Sequence, residues 1–447
     1  MSGKQKIVIL GAGESGYGAA VLAVKQGFDV FVSDSGPIKE AYRDQLAVKG
    51  IPYEEGMHTE SMILDAVEII KSPGIPDKSD IIKKIKSKNI PVISEIEFAG
   101  RYTNAHKICI TGTNGKTTTT MLTYHILRKA GLNVGLAGNV GKSFALQVAE
   151  NNYDYYVLEL SSFQLDGMND FKAEIAILLN ITPDHLDRYE YKLQNYVNSK
   201  FRIASNQDKG DSFIYCADDE IIINEISSRN IAAAHYPFSI KKEEGMQAFV
   251  KDEQLQINIK NQHLHMSIFE LALQGKHNLY NSMAAGIAAR IIDIRKDVVR
   301  ESFSDFKNIE HRLEHVMTVH GIEFINDSKA TNINSAWYAL ECMQKPIVWI
   351  VGGVDKGNNY DLLRELVKTK VKAIVCLGVD NDKIHEAYGD IVTDITDTKS
   401  ANDAVKAAYE KGRKGDVVLL SPACASFDLF KNYEDRGWQF KKAVKNL

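Results

Sequence analysis

Three glycine-rich turns, each directly after a short run of Val, Ile and Leu, constrain the fold of this chain more than any other feature. They lie at residues 11–16, 111–117 and 352–357 and follow apolar runs at residues 7–10, 108–110 and 347–351. Glycine lets backbone amides converge on an anion, and the N-terminus of the next helix adds partial positive charge. The pattern therefore predicts a strand, an anion-binding turn and a helix in each third of the chain.

Short apolar runs alternate with helix-like segments along most of the sequence. The helical patterns at residues 15–26, 116–130 and 360–368 each follow such a run, and further runs lie at residues 30–32, 373–377 and 417–420. This alternation predicts an α/β fold built from βαβ units with mostly parallel sheets. One region differs, because residues 247–250, 255–259 and 264–268 alternate polar and apolar side chains. They predict a small antiparallel sheet beside the parallel one.

The length of 447 residues suggests about three domains at the usual domain size. No low-complexity linker separates them, so the boundaries are placed where each α/β block starts. We predict domains at residues 1–95, 96–308 and 309–447.

Charge and cysteine content exclude several classes of protein. The chain has 54 basic and 58 acidic residues, a formal net charge of −4, which gives no reason to propose a nucleic-acid partner. No apolar run approaches the ~18 residues of a membrane-spanning helix, so we expect no membrane insertion. Five scattered cysteines without a Cys-x-x-Cys pair argue against a disulfide framework or a zinc cluster. We predict a reduced, cytoplasmic chain, and the near-neutral charge fits a monomer.

The first turn fits the Gly-x-Gly-x-x-Gly pattern of dinucleotide-binding proteins. Asp34 ends the next apolar run about 20 residues later, where an acid accepts hydrogen bonds from a ribose or a base. Any nucleotide with a diphosphate suits this layout, not NAD alone. The alternative is a tight turn whose glycines only permit close packing of the strand and the helix.

The second turn, Thr-Gly-Thr-Asn-Gly-Lys-Thr at residues 111–117, indicates a nucleoside triphosphate site. Lys116 can reach the β- and γ-phosphates, and the Thr117 hydroxyl can ligate Mg²⁺. The turn is shorter than the common phosphate loop, since Ile110 stands where the first glycine would be. A polar loop that only caps the following helix is the alternative.

Two further candidate ligands follow later strands of the same third. Glu159 lies at the end of the apolar run 155–160 and is a candidate Mg²⁺ ligand, and His185, after the run 175–181, is a candidate metal or phosphate ligand. Ligands bind at the carboxyl ends of parallel strands. Each residue could instead be an ordinary solvated loop residue.

In this order the motifs resemble those of the Mur ligase family, the ATP-dependent ligases of peptidoglycan precursor synthesis. The resemblance extends over essentially the whole chain and is carried by residues 112–117, 159–164, 180–188, 275–281, 311–312, 326–332 and 421–426. Within the family, Glu-Leu-Ser-Ser-Phe-Gln-Leu from residue 159 and Leu-Leu-Ser-Pro-Ala-Cys-Ala-Ser from residue 419 are most similar to the member that adds D-glutamate.

The resemblance implies three domains: an N-terminal Rossmann-like nucleotide-sugar domain, a central P-loop ATPase domain and a C-terminal Rossmann-like domain. The implied reaction joins D-glutamate to UDP-N-acetylmuramoyl-L-alanine through an acyl phosphate and a tetrahedral intermediate. ATP and two Mg²⁺ ions are the implied cofactors. Domain closure is expected to bring the nucleotide and the amino acid together.

The resemblance also assigns roles to individual residues. The implied catalytic residues are Lys116, His185 and Lys200. The implied Mg²⁺ ligands are Thr117, Glu159, His185 and Lys200, the last as a carbamate formed with CO₂. The implied ATP-binding residues are Gly112, Thr113, Asn114, Gly115, Lys116, Thr117, Thr118, Asn278, Asn281, Arg312 and Asp327. The implied UDP-sugar-binding residues are Gly13, Glu14, Ser15, Gly16, Asp34, Ser35, Ser72, Pro73, Gly74, Asn139, Ser161 and Gln164. The implied amino-acid-binding residues are Lys329, Thr331, Lys356, Ser426, Phe427 and Tyr433.

Some of these residues have plainer interpretations. Without the resemblance, Lys200 would be taken as an exposed helix lysine, and Asn278 and Asn281 as amides that cap the start of a helix.

Other functions remain open at this point. An NAD-dependent oxidoreductase would use the first turn but leaves residues 112–117 unexplained. A GTP-binding switch would use the second turn, but the chain contains no Asn-Lys dipeptide, so the usual guanine-reading Asn-Lys-x-Asp is absent. A related ligase that adds another amino acid is the remaining alternative, and folylpolyglutamate synthetase is a remoter one.

Overall fold

The computed structural model describes residues 4–260, 262–306 and 310–447, which form two compact units. The first unit contains the described chain up to Leu271 together with Asn278–Phe306, and the second contains Ala272–His277 together with the described residues after 309. The domain boundary predicted between residues 308 and 309 lies within residues 307–309, outside the described ranges.

The first unit begins with a five-stranded parallel sheet in the order β3-β2-β1-β4-β5. Its strands are β1 (Lys6–Leu10), β2 (Asp29–Asp34), β3 (Tyr53–Glu55), β4 (Glu68–Lys71) and β5 (Val92–Ser94). Its helices are α1 (Glu14–Lys25), α2 (Glu40–Val48), α3 (Glu60–Ile63), α4 (Asp80–Ser87) and α5 (Glu95–Gly100). The strands predicted at residues 7–10 and 30–32 and the helix predicted at 15–26 are confirmed.

A nine-stranded sheet follows in the same unit, in the order β14-β13-β12-β11-β10-β9-β6-β8-β7. Its strands are β6 (His106–Thr111), β7 (Val134–Gly138), β8 (Tyr155–Glu159), β9 (Ile175–Leu178), β10 (Ser212–Cys216), β11 (Ala234–Ser239), β12 (Ala248–Lys251), β13 (Gln254–Ile259) and β14 (Gln262–Ser267). Its helices are α6 (Lys116–Lys129), α7 (Phe144–Glu150), α8 (Ser162–Leu165), α9 (Leu193–Phe201), α10 (Glu220–Ser228), α11 (Lys276–Ile291) and α12 (Lys296–Asp305).

The antiparallel strands predicted in the middle third are confirmed as β12, β13 and β14. They continue the edge of the parallel sheet, because β12 pairs in parallel with β11 and antiparallel with β13. Along β13 every second side chain is buried, which is the pattern that predicted the strand.

Two buried carboxylates of α5 tie the first sheet to the central sheet. Glu95 accepts hydrogen bonds from the Ser143 hydroxyl at 2.7 Å and from the backbone N–H of Ala145. Glu97 Oε2 accepts three backbone N–H groups, those of residues 169–171, at 2.9–3.1 Å. Burial raises the pKa of Glu95 to about 7. One cluster of buried apolar side chains also extends through both sheets, from Ile7 to Phe213, which explains why they form a single compact unit.

The second unit contains a six-stranded sheet in the order β15-β16-β20-β17-β18-β19, parallel except for β15. Its strands are β15 (Glu314–Val319), β16 (Ile322–Asn326), β17 (Ile347–Val351), β18 (Val371–Leu377), β19 (Ile395–Thr398) and β20 (Val417–Leu420). Its helices are α13 (Ile333–Cys342), α14 (Arg364–Lys370), α15 (Asp382–Tyr388), α16 (Ala401–Lys411) and α17 (Tyr433–Lys445). The helical pattern at residues 360–368 forms a 3-10 turn that runs into α14.

The apolar runs that predicted the strands form the interiors of both units. Every residue of β17 is fully buried, and Trp349 within it donates its indole N–H to the Ser421 carbonyl at 2.8 Å. No helix within the described ranges has the length and apolar character needed to cross a bilayer.

Two glycines of the first turn differ in how much space surrounds them. A Cβ on Gly16 would lie 1.8 Å from the Gly11 carbonyl oxygen, so packing of α1 against the turn requires glycine there. A Cβ on Gly13, at the start of α1, would have no atom within 4 Å. Close packing, the alternative interpretation of this turn, therefore accounts for Gly16 but not for Gly13.

The substitution Gly16→Ala is expected to lower the free energy of unfolding of the first unit by about 3 kcal/mol, because no rotamer relieves a clash with backbone. Gly13→Ala, the matched control, is expected to stay within about 1 kcal/mol of the parent chain. Urea unfolding followed by circular dichroism measures both. Equal stability of the two variants would contradict this account of the turn.

Candidate active site

Parallel pairing brings the predicted catalytic segments to one edge of the central sheet. β6 pairs with β8 and with β9, and the register sets Ile110 beside Glu159 and Thr111 beside Leu178. The three strands therefore end together. The second glycine turn, Glu159 and the loop at residues 179–189 all start from this carboxyl edge, the usual ligand-binding edge of a parallel sheet.

Asn180 holds the second glycine turn in a fixed shape. Its side-chain carbonyl accepts the N–H of Asn114 at 2.8 Å, and its amide donates to the Asn114 carbonyl at 3.0 Å. The backbone of Thr113 donates to the Asn180 carbonyl at 2.9 Å. Gly115 has a φ of +84° and directly precedes α6, so the turn enters the helix through a conformation that favours glycine. Asn180 lies within a motif noted in the sequence but was not predicted as a site residue.

Lys116, the first residue of α6, folds over this turn. Its Nζ donates to the carbonyls of Gly112 at 2.9 Å and Thr113 at 2.8 Å. Thr117 and Thr118 are buried in the same helical turn, and the Thr118 hydroxyl has no hydrogen-bond partner among the described residues. A cation, a helix N-terminus and buried hydroxyls thus meet at one point, as binding of nucleotide phosphates requires.

Glu159 is a buried carboxylate at this edge, and only one of its two oxygens has a hydrogen-bond partner among the described residues. It is only 1% exposed, and its Oε1 accepts a hydrogen bond from Asn139 at 2.7 Å. Its Oε2 is buried and has no hydrogen-bond partner in the described part of the chain. A buried carboxylate oxygen is costly unless a donor or a cation satisfies it. A carboxylate and a hydroxyl, the groups that Glu159 and Thr117 carry, are oxygen ligands of the kind that Mg²⁺ takes.

Lys200 of α9 is the most deeply buried cation of the site, at 1% exposure. Its Nζ donates to the Gly112 carbonyl at 2.8 Å and to the Thr111 hydroxyl at 3.2 Å. Burial, and then the positive charge of Lys116, lower its pKa well below the usual value. The interpretation of Lys200 as an exposed helix lysine is therefore wrong.

The negative charges of Asp184 and Glu159 act to raise the pKa of Lys200, whereas burial lowers it. The structure therefore places these two acids within electrostatic reach of Lys200. Asp184 was missed as a site residue, although its position between Thr-Pro and His in the loop after β9 was visible in the sequence.

His185 lies on the loop after β9 in a strained conformation. Its φ of +51° is unusual for a residue other than glycine, and its ring meets Phe163 edge-on with centroids 5.2 Å apart. Its Nε2 lies 3.7 Å from Asp184 Oδ2, and its side chain is half-exposed. The imidazole is thus accessible at the same edge of the sheet, next to an acid.

The amides of Asn278 and Asn281 link α11 to α6. Asn281 donates to the Asn278 side chain at 3.1 Å and accepts from the Thr119 hydroxyl at 3.1 Å. A Cβ on Gly115 would lie 2.4 Å from Asn281 Oδ1, so α11 also contacts the glycine turn. Because α11 begins at Lys276, the interpretation of these residues as helix caps is wrong.

In the first sheet, Asp34 supports the first glycine turn. Its two carboxylate oxygens accept the N–H groups of Ala12 at 2.7 Å and Gly36 at 2.9 Å. Ser72, after β4, donates to the Gly11 carbonyl at 3.3 Å. The predicted residues Gly13, Glu14, Ser15 and Gly16 lie at the start of α1, beside these groups, and Ser35 is exposed.

Arg188 connects this turn region to the loop after β9. Its guanidinium donates to the carbonyls of Pro73 at 3.3 Å and Gly74 at 3.4 Å and stacks on the Phe163 ring at 4.6 Å. The predicted UDP-sugar segment at residues 72–74 is thereby joined to the predicted catalytic loop. Arg188 was missed as a site residue although it ends one of the motifs noted in the sequence.

Ser161 and Gln164 cap α8. The Ser161 N–H donates to the Gln164 side chain at 2.9 Å, and the Ser161 hydroxyl accepts the Gln164 N–H at 3.3 Å. With Asn139, which contacts Glu159, these predicted UDP-sugar residues lie at the ends of β7 and β8.

In the second unit, Asp327 follows β16 and is fully buried. It accepts hydrogen bonds from the Ser421 hydroxyl at 2.9 Å and the Leu313 N–H at 3.2 Å. Burial raises the pKa of Asp327 to about 7, although the positive charge of Arg312 acts to lower it. Arg312 Nε is buried and has no hydrogen-bond partner within the described ranges. The two predicted ATP-binding residues of this unit are thus electrostatic neighbours.

The residues predicted to bind the amino acid lie around the loops after β16, β17 and β20. Lys329 Nζ lies 5.5 Å from the centre of the Tyr433 ring. Lys356 and Phe427 are exposed, and Ser426 is buried. The remaining predicted residue, Thr331, donates its N–H to the Lys329 carbonyl at 3.0 Å.

Arg436 of α17 holds two of these loops in place. Its guanidinium is buried and donates to the carbonyls of Ser328 at 2.9 Å and Cys424 at 3.2 Å. The sequence carried no signal for this role, because a charged residue on an amphipathic helix is normally solvated.

A cavity of about 370 Å³ opens beside the third glycine turn, at the carboxyl ends of β17 and β18. Its lining includes Gly353, Asp355, Asn381, Lys383 and Asp428 and none of the six residues predicted to bind the amino acid.

Three family models match consecutive parts of the chain. The Mur ligase MurD-like N-terminal domain matches residues 5–94, the Mur ligase middle domain matches residues 110–289, and the Mur ligase glutamate ligase domain matches residues 311–424. The three domains predicted from the resemblance are confirmed by these matches.

Curated relatives align along the whole chain. The UDP-N-acetylmuramoylalanine–D-glutamate ligase of Bacteroides fragilis is 57% identical over 444 residues, which cover 99% of this chain and 100% of that protein. The enzyme of the same name from Porphyromonas gingivalis is 54% identical over 452 residues, and the shared region covers 99% of each chain.

Solved structures share the fold at low identity. The UDP-N-acetylmuramate–alanine ligase of Thermotoga maritima aligns with a TM-score of 0.64 at 17% identity, over 99% of this chain and 100% of its own. The MurF ligase of the same organism, solved with ADP, aligns with a TM-score of 0.63 at 16% identity, over 93% and 95% of the two chains. Because three family models match it and curated relatives are similar to it over their full length, this chain belongs to the Mur ligase family.

Proposed function

We propose that this protein is the ATP-dependent ligase that joins D-glutamate to UDP-N-acetylmuramoyl-L-alanine in peptidoglycan precursor synthesis. The observation that carries the proposal is the charged cluster of Lys116, Glu159 and Lys200 at the edge of the central sheet. This cluster occurs in a chain that aligns end to end with enzymes of that name.

Each domain contributes one substrate in this proposal. Residues 1–95 bind the UDP-sugar, residues 96–308 bind ATP, and residues 309–447 bind the amino acid. We place the reaction in the cytoplasm, in line with the five free cysteines of the chain, which suit a reducing compartment.

The chemistry has to overcome the low reactivity of a carboxylate. Hydroxide is a poor leaving group, so an amine does not displace it at neutral pH. Transfer of the γ-phosphoryl group of ATP to the alanine carboxylate gives an acyl phosphate with a good leaving group. The amine of D-glutamate then attacks the carbonyl carbon, and the tetrahedral intermediate collapses to the amide and phosphate. ADP is the other product.

The residues at the sheet edge hold the phosphates for this transfer. Lys116, the amides of residues 112–115, Thr117 and Thr118 neutralise and orient the transferred group, which is how proteins accelerate phosphoryl transfer. Thr117 and Glu159 would hold one Mg²⁺, and His185 and Lys200 a second. Bound Mg²⁺ supplies charge neutralisation at the phosphates.

Lys200 cannot ligate a metal ion while it is protonated, and Mg²⁺ prefers an oxygen ligand to an amine nitrogen. Its lowered pKa favours the neutral amine, which is the form that reacts with CO₂ to give a carbamate. The carbamate would turn a buried cation into an anionic oxygen ligand and would relieve its repulsion by Lys116. We therefore propose that Lys200 is carbamylated in the active enzyme.

The other predicted residues keep their roles within the proposal. The UDP-sugar is bound by the predicted residues of the first sheet together with Asn139, Ser161 and Gln164. The ATP site is completed by Asn278, Asn281, Arg312 and Asp327. Lys329, Thr331, Lys356, Ser426, Phe427 and Tyr433 bind D-glutamate, since a dianionic amino acid needs cations and hydroxyl or amide donors.

The proposal is tested by phosphate release from Mg-ATP in the presence of UDP-N-acetylmuramoyl-L-alanine. Reactions with D-glutamate, L-glutamate, meso-diaminopimelate and no amino acid are compared, and mass spectrometry identifies the product. Release that requires both the nucleotide sugar and D-glutamate is expected. Dependence on another amino acid would keep the ligase mechanism and overturn the specificity. A folded chain that binds ATP without substrate-dependent release would point back to a P-loop switch.

The substitution Lys116→Met is expected to reduce kcat for phosphate release by at least about 100-fold, because it removes the cation at the transferred phosphate. Thermal unfolding is expected to change little. Lys209→Met, at an exposed lysine of the same unit, is the matched control and is expected to keep full activity. Comparable rates for the two variants would exclude Lys116 from the reaction.

The carbamate on Lys200 is expected to give a ¹³C NMR signal after equilibration with ¹³C-bicarbonate, and the signal is expected to vanish in Lys200→Met. Depletion of CO₂ is expected to slow the enzyme reversibly. A parent spectrum identical to that of Lys200→Met, with a rate insensitive to CO₂, would overturn carbamylation but leave the ligase proposal standing.

A further inference from the structure

The second unit contains a cluster of metal-binding side chains that the proposed reaction does not use. Cys376 of β18 and Asp397 of β19 are register partners on neighbouring parallel strands, and His385 lies on α15, between these strands in sequence. The three residues come from three elements. A search of the sequence for closely spaced cysteines could therefore not find them.

The ligand atoms of the three side chains are close enough to share one ion. Cys376 Sγ, a ring nitrogen of His385 and a carboxylate oxygen of Asp397 all lie within 4.8 Å of one another. His385 Nε2 is 3.1 Å from Asp397 Oδ2 and 3.2 Å from Oδ1. Two ligands at bond lengths of ~2.0–2.1 Å on a tetrahedral zinc ion are about 3.3 Å apart. The nitrogen and the oxygen thus already have the spacing of two zinc ligands.

The surroundings suit a site that is open on one side. Cys376 is fully buried, whereas His385 and Asp397 are partly and largely exposed, so an ion can reach the sulfur from solvent past these two side chains. Asn381 donates to Asp397 Oδ1 at 2.9 Å. Such a contact to the far oxygen orients a ligating carboxylate and leaves Oδ2 for the ion. Water would complete the fourth position.

The donor set distinguishes this site from the proposed Mg²⁺ sites. Mg²⁺ takes oxygen ligands, whereas a thiolate, an imidazole and a carboxylate together favour a softer ion with tetrahedral geometry. We propose that Cys376, His385 and Asp397 form a binding site for a zinc-like divalent ion. None of the three is a residue to which the proposed reaction assigns a role.

Hydrogen bonds connect this site to the third glycine turn. Asn381, which orients Asp397, also donates to the Gly378 carbonyl at 3.3 Å. Lys383, two residues before His385, donates to Asp355 of the turn at 2.8 Å. An ion held between β18, β19 and α15 would fix α15 and, through Lys383, brace the turn that carries Lys356. Bound metal is therefore expected to stabilise the second unit.

Cobalt is the probe for the site because Co²⁺ replaces Zn²⁺ and is coloured. The full-length, reduced protein is titrated with Co²⁺ in the presence of excess Mg²⁺, which occupies the oxygen-ligand sites. We expect a thiolate-to-cobalt charge-transfer band in the near ultraviolet and visible bands typical of tetrahedral cobalt, saturating at about one ion per chain. Added Zn²⁺ is expected to displace the cobalt and to remove the charge-transfer band and the visible bands.

Variants assign the signal to the three residues. Cys376→Ser is expected to abolish the charge-transfer band. His385→Gln and Asp397→Asn, at partly and largely exposed positions, are expected to weaken Zn²⁺ binding by at least about tenfold in competition with a chelator. Cys109→Ala removes another buried thiol, from β6 in the first unit, and is expected to leave both signals unchanged. Circular dichroism checks that each variant is folded.

Two results would overturn the proposal. One is the absence of a charge-transfer band in the parent protein, which would leave His385 and Asp397 as an ordinary ion pair beside a buried thiol. The other is a band that persists in folded Cys376→Ser, which would place the metal on another cysteine.

Discussion

The parallel pairing of β6 with β8 on one side and β9 on the other is the constraint on which the proposed site depends. Parallel strands in this register end at the same edge of the sheet. The glycine turn, Glu159 and the loop that carries Asp184 and His185 therefore start from one edge, although they are far apart in the sequence. A shift of β8 by one residue would turn Glu159 to the opposite face of the sheet. Asn180 then fixes the glycine turn against the end of β9.

Buried charge is concentrated where the proposed chemistry takes place. Glu159 has a buried oxygen without a hydrogen-bond partner in the described part of the chain, and the buried amine of Lys200 has a pKa held well below its usual value. Such groups reduce stability unless a ligand or a modification compensates them. Glu95 and Glu97 are buried carboxylates elsewhere in the same unit, and each has one oxygen that accepts hydrogen bonds from hydroxyl or backbone donors.

The sequence predicted the strands and the turns well because buried parallel strands are short apolar runs with glycine after them. It also predicted the antiparallel strands, although it did not show that they extend the central sheet. Side chains whose role depends on neighbours distant in sequence were harder to interpret. Arg436 is buried among loop carbonyls, Arg188 links two loops, and Lys200 lies under the glycine turn; only family resemblance pointed to Lys200.

The sequence by itself determined the α/β class and the three strand–turn–helix units, because these follow from local periodicity and local residue types, and it predicted phosphate binding at the second turn. Only the tertiary structure decided which polar side chains are buried, which are satisfied and which share a site. The cluster of Cys376, His385 and Asp397 illustrates the difference. Each residue is unremarkable in its own segment. The three come together through the register of two strands and the packing of a helix, and the local sequence pattern does not reveal either of these.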